Sequence, residues 1–373
     1  MAKPVLVVFA DAHMSARTWK HKHIFGDTYF GLKQVVDFAI DNELPLFGAG
    51  DLIDKRENAP APIVEFEKQL RRMSEAELTF FYIQGQHEYD QHPWLQLGLS
   101  TIHMHEHVIN LDGLEVYGLD YQGGEVLQAK LDDIPKSVDV LVAHQVWSDF
   151  MGDVALPQGE FADIPHVRTL VTGDYHKCVL DDHHYRGKNG QKLLVFSPGA
   201  TCQQKIDEPD KHHFGVLNDD GSIDIINLRS RKFDEHAVNN NDQVEELLGN
   251  VDAFLEGAAD FASDNDLPPE LHTPIWRIIY SHRVSDVVRR LDKIVDGRAH
   301  LFYKEIPQEK EESKILEKVP DLKKGDVLTL ESCLSTEVDP DEEPDAHALA
   351  ARLLDADDPE LEVNRWLKEQ MND

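Results

Sequence analysis

The stretch RTLVTGDYH, residues 168–176, starts as an apolar run at Leu170-Val171, rises to Gly173 and stops at Asp174 and His176. A carboxylate and an imidazole thus close what reads as a strand. Five further runs share this plan: VLVVFADAH (5–13), LPLFGAGD (44–51), LTFFYIQGQHE (78–88), VDVLVAHQ (138–145) and LLVFSPGA (193–200). Five of the six end in side chains able to hold a metal: Asp11 and His13, Asp51, Gln86 and His87, His144, and Asp174 and His176. Continuous β-branched and aromatic runs indicate strands buried on both faces. The segment GDTYFGLKQVVDFAIDN between the first two sets Phe30, Val35, Val36 and Phe38-Ala39-Ile40 at helical spacing, so helices alternate with the strands. The expected class is α/β. In open sheets of that class ligands bind beyond the carboxyl ends of the strands, which here would gather oxygens and imidazoles at one edge. Gly50, Gly85 and Gly173 are expected where the backbone turns sharply beside these residues.

Mixed Asp, His and amide donors suit Mn²⁺, Fe²⁺ or Zn²⁺ better than an all-oxygen Ca²⁺ site. A carboxylate shared by two ions would form a clamp for in-line attack at phosphorus. Taken singly, each residue has an ordinary structural explanation: Asp11 or Asp174 as a helix cap, His144 as a satisfied core histidine. Agreement across five strand ends favours a dinuclear site. The other histidine groups are expected at the surface, HMHEH (103–107) on an exposed strand, DDHHY (181–185) and DKHHF (210–214) in solvated loops.

At 373 residues the chain exceeds the usual size of one domain. Its 37 Lys+Arg against 70 Asp+Glu leave a net charge of −33, which opposes indiscriminate nucleic-acid binding and leaves room only for a local basic track. Cys178, Cys202 and Cys333 stand alone, a usage expected in a reducing compartment. No signal-peptide pattern opens the chain, and no run reaches the roughly 18 apolar residues of a membrane span. A cytoplasmic location, with no membrane partner, is expected.

HVINLDGLEVYGLD predicts a hairpin turning at Asp112-Gly113, and HFGVLNDDGSIDIINL another at Asp220-Gly221. Past residue 230, DQVEELLGNVDAFLEGAADFA predicts one long helix, TPIWRIIYSHRV a strand, SDVVRRLDKIVDG a capped helix and HLFYKEIP a further strand, together a small α+β unit. An acidic, proline-broken linker then leads to two amphipathic helices over 345–354 and 359–371, too short to stand alone and expected to dock onto a partner. The expected domains are 1–230, 231–310 and 311–373.

The motifs D-x-H (11–13), G-D-x-x-D (50–54), G-Q-H-E (85–88), the lone His144 and G-D-x-H (173–176) resemble those of the calcineurin-like metallophosphoesterases. Within that superfamily their order and extent are similar to the Mre11/SbcD type of nuclease subunit, phage-encoded members included, and SPGAT (197–201) resembles its PGS turn. The resemblance is strong over 5–200 and weaker beyond. It implies a two-sheet α/β sandwich, the metallophosphoesterase fold, with a small α+β capping domain and C-terminal helices. It implies that Asp11, His13, Asp51 and His176 hold one metal, and that Asp51 bridges to a second held by Gln86, His144 and Asp174. His87 would assist the departing oxygen, with Asp54 orienting it. Mn²⁺ is the expected ion, with Mg²⁺ the alternative.

Two positions depart from the pattern. Gln86 stands where the family has asparagine, and Asp174 where it has histidine, making the second site harder and richer in oxygen. The implied activity is 3′→5′ exonuclease on duplex DNA with single-strand endonuclease, in a repair or recombination complex with a Rad50/SbcC-like ATPase bound through the C-terminal helices. A homodimer is implied as well. Arg17, Lys20, Lys22, Lys55, Arg56, Arg289 and Arg290 are candidates for a DNA track. Two rivals remain: a phosphatase or phosphodiesterase on other substrates, and a scaffold with a weakened site.

Overall fold

In this computed structural model, residues 2–15, 17, 21, 23–54, 60–88, 100–151, 159–205, 208 and 210–306 are described. The two C-terminal helices and Cys333 lie outside them. Strand β1 (Pro4–Phe9) shows how the fold is layered. Its Leu6 and Val8 face a core shared with a second sheet, while Val7 and Phe9 face a core under helices. An apolar side chain is therefore needed at every position, which is why these strands read as unbroken apolar runs.

The first sheet places β1 beside β2 (Leu46–Ala49), β3 (Phe80–Ile83) and β4 (Thr101–His103), all parallel. Antiparallel β11 (His212–Asn218) and β12 (Ile223–Leu228) complete the other edge. Helices α1 (Asp27–Asp41) and α2 (Pro60–Glu75) cover its outer face. In the second sheet, β6 (Leu114–Leu119), β7 (Val140–His144), β8 (Thr169–Gly173) and β10 (Leu194–Ser197) run parallel. The edges are β5 (Val108–Leu111) and β9 (Val179–Asp181), with α3 (Gly124–Asp132) on the outer face and the one-turn α4 (Ser148–Met151) following β7. The layers are helix, sheet, sheet, helix: the expected two-sheet α/β sandwich. Both expected hairpins form, with Gly113 and Gly221 at positive φ of 97° and 84°.

A third sheet of β13 (Phe233–Val238), β14 (Ile275–Ser281) and β15 (His300–Ile306) packs with α5 (Asn241–Gly249) and α7 (Asp286–Val295) around its own core of Trp276, Ile278, Val287 and Leu291. β13, FDEHAV, escaped the sequence reading because charge interrupts its alternation. The single long helix expected here is two. Asn250 leaves the helical region at φ −102° and ψ 2°, and its N–H caps α5 before α6 (Val251–Asp264) begins. Buried Arg231 grips buried Asp27 at the start of α1 with two hydrogen bonds of 2.8 and 3.0 Å, and so joins this part to the sandwich.

Two of the histidine groups lie only partly at the surface. In HMHEH, Met104 is buried between the sheets, and His103 pairs at 2.8 Å with Asp120, a buried carboxylate just past β6. In DKHHF, His212 opens β11, buried, with its Nδ1–H on the Ala200 carbonyl at 3.0 Å. His183 and His184 of DDHHY are exposed as expected.

Candidate metal centre

The carboxyl ends of β1, β2, β3, β7 and β8 meet at one edge of the two sheets. There the structure brings together three overlapping groups with ligand atoms within 4.8 Å: Asp11, His13 and His176; Asp11, Asp51 and His144; and His13, Asp54 and His87. Asp11, Asp51 and His144 are fully buried or nearly so, and His13 is 5% exposed. His87 and Asp54 lie at the more open side of the group.

The backbone at this edge is strained. Asp11, His13, Asp51 and Asp174 have positive φ of 50°, 41°, 50° and 76°, a region that side chains with a Cβ rarely enter. Such strain persists only where the surroundings enforce it, and it clusters at functional sites. The neighbouring glycines serve two purposes. Gly50 does adopt positive φ, +87°. Gly85 and Gly173 do not. They allow close approach: a Cβ at Gly85 would lie 2.1 Å from Asp51 Oδ1, and one at Gly173 would lie 2.3 Å from His144 Nδ1.

Asp51 is the hub. Its Oδ2 lies 3.4 Å from His144 Nε2 and 3.8 Å from both His13 Nε2 and His87 Nε2, while its Oδ1 accepts the His87 backbone N–H at 3.0 Å. Burial opposes its charge, yet His144, His13 and His87 outweigh that and hold it below the usual carboxylate range. His144 answers it: burial opposes the imidazolium, but Asp51 raises the pKa well above the ordinary value. Burial pushes the Asp11 carboxyl up to about 6 and pushes His13 down to about 3. Burial also opposes the charged form of His176, but Glu208 and Asp11 outweigh it and leave its pKa raised.

Whether these residues fit divalent ions can be tested on their lone pairs. The Nδ1–H of His144 is spent on the Ala49 carbonyl at 2.8 Å, which turns Nε2 toward Asp51 Oδ2, 3.4 Å away, where a bound ion would take the place of the Nε2 proton. Gln86 donates its Nε2–H to Asp174 Oδ1 at 2.5 Å, leaving Oε1 buried without a partner. An unpaired buried acceptor costs about 1–3 kcal/mol, so the Gln86 oxygen needs an explanation. The Nε2 atoms of His13 and His176 also face each other at 3.1 Å. A bound cation would account for both features.

The sequence-expected residues are distributed unevenly. Asp11 approaches both ligand groups, not one alone. Asp174 offers its backbone N–H to both Asp11 oxygens at 3.1 and 3.2 Å, while its own carboxylate turns to Gln86. His87 Nδ1 contacts the backbone carbonyl of Asp54, whose carboxylate stands 3.7 Å from the same nitrogen and 3.9 Å from His13 Nδ1. The main chain thus orients His87 more closely than the Asp54 side chain does. Lys20, Lys22, Lys55 and Arg56 lie outside the described residues. Arg17 and Arg289 are exposed. Arg290 is engaged by Glu245 at 2.6 Å and Asp286 at 3.7 Å.

Two carboxylates went unnoticed in the sequence. Glu88 accepts the backbone N–H groups of Asp51, Ile53 and Gly85 at 2.9, 2.7 and 2.8 Å, clamping the β2 and β3 turns together. Its place in G-Q-H-E was the only available signal. Glu208 touches His176 at 2.5 Å from a loop with no motif at all.

No family model matches the chain. It is 24% identical to the DNA double-strand break repair protein Mre11 of Methanosarcina mazei over an alignment that covers 56% of this chain and 35% of that protein. The chain therefore spans about a third of the length of the relative it matches. The two-sheet α/β architecture with its strand-end side chains is consistent with a metallophosphoesterase fold, and over that alignment the chain is similar to Mre11.

Proposed function

We propose that the chain is a metal-dependent DNA nuclease subunit, hydrolysing phosphodiesters at the strand-end site. The observation that carries this reading is the orphaned acceptor Gln86 Oε1 beside a ring of carboxylates and imidazoles, His144 Nε2 among them, on strained backbone. Asp11, His13, Asp51 and His176 would hold one divalent ion. Asp51, Gln86, His144 and Asp174 would hold the second, with Mn²⁺ or Mg²⁺ as the ions. Bound there, the ions would supply Lewis-acid stabilisation of charge at phosphorus and make water acidic enough to react. Asp51, 3.8 Å from His13 and 3.4 Å from His144, would be shared by the two sets of ligands. His87, partly open to solvent and held through Nδ1, presents Nε2 towards the site, where it can give a proton to the departing oxygen. Exonuclease and endonuclease activity in a complex with a Rad50/SbcC-like ATPase, docked through the C-terminal helices, and a homodimeric form belong to this reading. The capping domain over 231–310 would help track DNA.

A phosphoesterase acting on a substrate other than DNA is the second reading. It is favoured by the acidic partners of the cap's arginines, Arg290 on Glu245 and Arg298 on Asp252, in a chain of net charge −33. One experiment separates them: nucleotide release from end-labelled duplex DNA with Mn²⁺, wild type beside His87→Ala. We expect cleavage by the wild type and a loss of about 10²–10⁴-fold in the variant, with ion binding retained. Hydrolysis of a simple phosphomonoester but not of DNA would establish the second reading instead.

A further inference from the structure

We propose that Glu208 is a positioning residue of the metal centre, fixing the His176 tautomer that leaves Nε2 free for an ion. The inference rests on the metal-centre reading. Glu208 sits beyond β10, outside every strand-end motif, yet its side chain is only 11% exposed and its Oε1 lies 2.5 Å from His176 Nδ1. Its other oxygen accepts the backbone N–H groups of Gln204 at 2.5 Å and Lys205 at 3.0 Å. Both oxygens therefore act as acceptors, and an acceptor at Nδ1 requires the proton to be on Nδ1. The lone pair of His176 is then on Nε2, the atom that stands 3.1 Å from His13 Nε2 and 3.8 Å from Asp11 Oδ1.

Other groups hold the same segment from a second direction. Gln203 donates through its Nε2 to the main-chain carbonyl of Glu208 at 3.1 Å, and the Gln204 side chain donates to the carbonyl of Ala12, between Asp11 and His13, at 3.5 Å. Ring orientation and tautomer of His176 are set by the Glu208 carboxylate. Outer partners of this kind raise the basicity of a ligating imidazole and hold its plane, and removing one typically costs about 10–100-fold in metal affinity.

The test is Mn²⁺ calorimetry on the full chain for wild type, Glu208→Ala, His176→Ala and the double variant, with Co²⁺ visible spectra alongside. Glu208→Ala is expected to weaken one of two Mn²⁺ sites about 10–100-fold and to shift the Co²⁺ bands. In the His176→Ala background the same change should add nothing, because Glu208 acts through that ring. A role confined to loop stability would instead subtract equally in both backgrounds, and that result overturns the proposal. Unchanged Mn²⁺ affinity and Co²⁺ bands in Glu208→Ala overturn it too. If Glu208→Ala does not fold, Glu208→Asp reads the same loss, since its shorter side chain cannot reach Nδ1 and the loop amides together. A wild type that binds no Mn²⁺ overturns both the metal-centre reading and this proposal, whereas a normal wild type with an unaffected variant overturns this proposal alone.

Discussion

At Asp51 one carboxylate meets three imidazoles, and at Asp174 a carboxylate meets an amide. The two residues differ in what they can do for an ion. Asp51 is buried, strained and lies 3.4 Å from His144 and 3.8 Å from His13, so it can bridge. Asp174 is tied to Gln86 at 2.5 Å. An anion in place of a neutral imidazole at this position would harden the proposed second site and favour Mn²⁺ or Mg²⁺ over Zn²⁺. Metal titration of the wild type should place Mn²⁺ above Zn²⁺ as activator, and Asp174→His should narrow or reverse that order. Zn²⁺ as the best activator of the unaltered chain would sink the argument. No spacing rule could have shown that Asp174 would face Gln86, because that depends on how two separate turns pack.

The strand-to-loop turn is the working element. Each of the five turns ends a strand buried along nearly its whole length, so the strand fixes where the turn lies and the turn only has to aim its side chains. The price is close packing. Gly85→Ala would put a methyl group 2.1 Å from Asp51 Oδ1, and overpacking of this kind costs about 1–3 kcal/mol. Urea unfolding of this variant should show that loss together with weaker Mn²⁺ binding; full stability with unaltered ion affinity would contradict the packing account. The six strands that carry the apolar runs, both hairpins and the strand-end side chains were legible in the sequence, because period and composition report burial directly; β13, interrupted by charge, was not. The break at Asn250 was not, since the apolar spacing of α5 and α6 runs on past it. Nor was Glu208, one of 70 acidic residues, picked out by anything short of the folded chain. The sequence also cannot distinguish a glycine that turns from one that makes room, as Gly50 and Gly85 do in turn.

Over the whole molecule, the fold supplies strong proton sites that an ion must displace. Asp11 stands at about 6 against an ordinary 3.8, and His144 and His176 both lie above their ordinary 6.5. Groups raised in this way contribute stability to the ion-free chain below their unfolded values and lose it as the pH climbs through the folded ones. The same protons compete with the cation. The gain in melting temperature on adding Mn²⁺ should therefore be small near about pH 5 and grow through about pH 6 and above. A gain that is flat across that range would mean these groups are not ligands. The account stands or falls on the number of ions the chain holds, so the most direct measurement is Mn²⁺ stoichiometry of the full chain beside His144→Ala. Two ions in the wild type and one in the variant is the predicted result; a single ion in both, or none, would contradict a dinuclear centre.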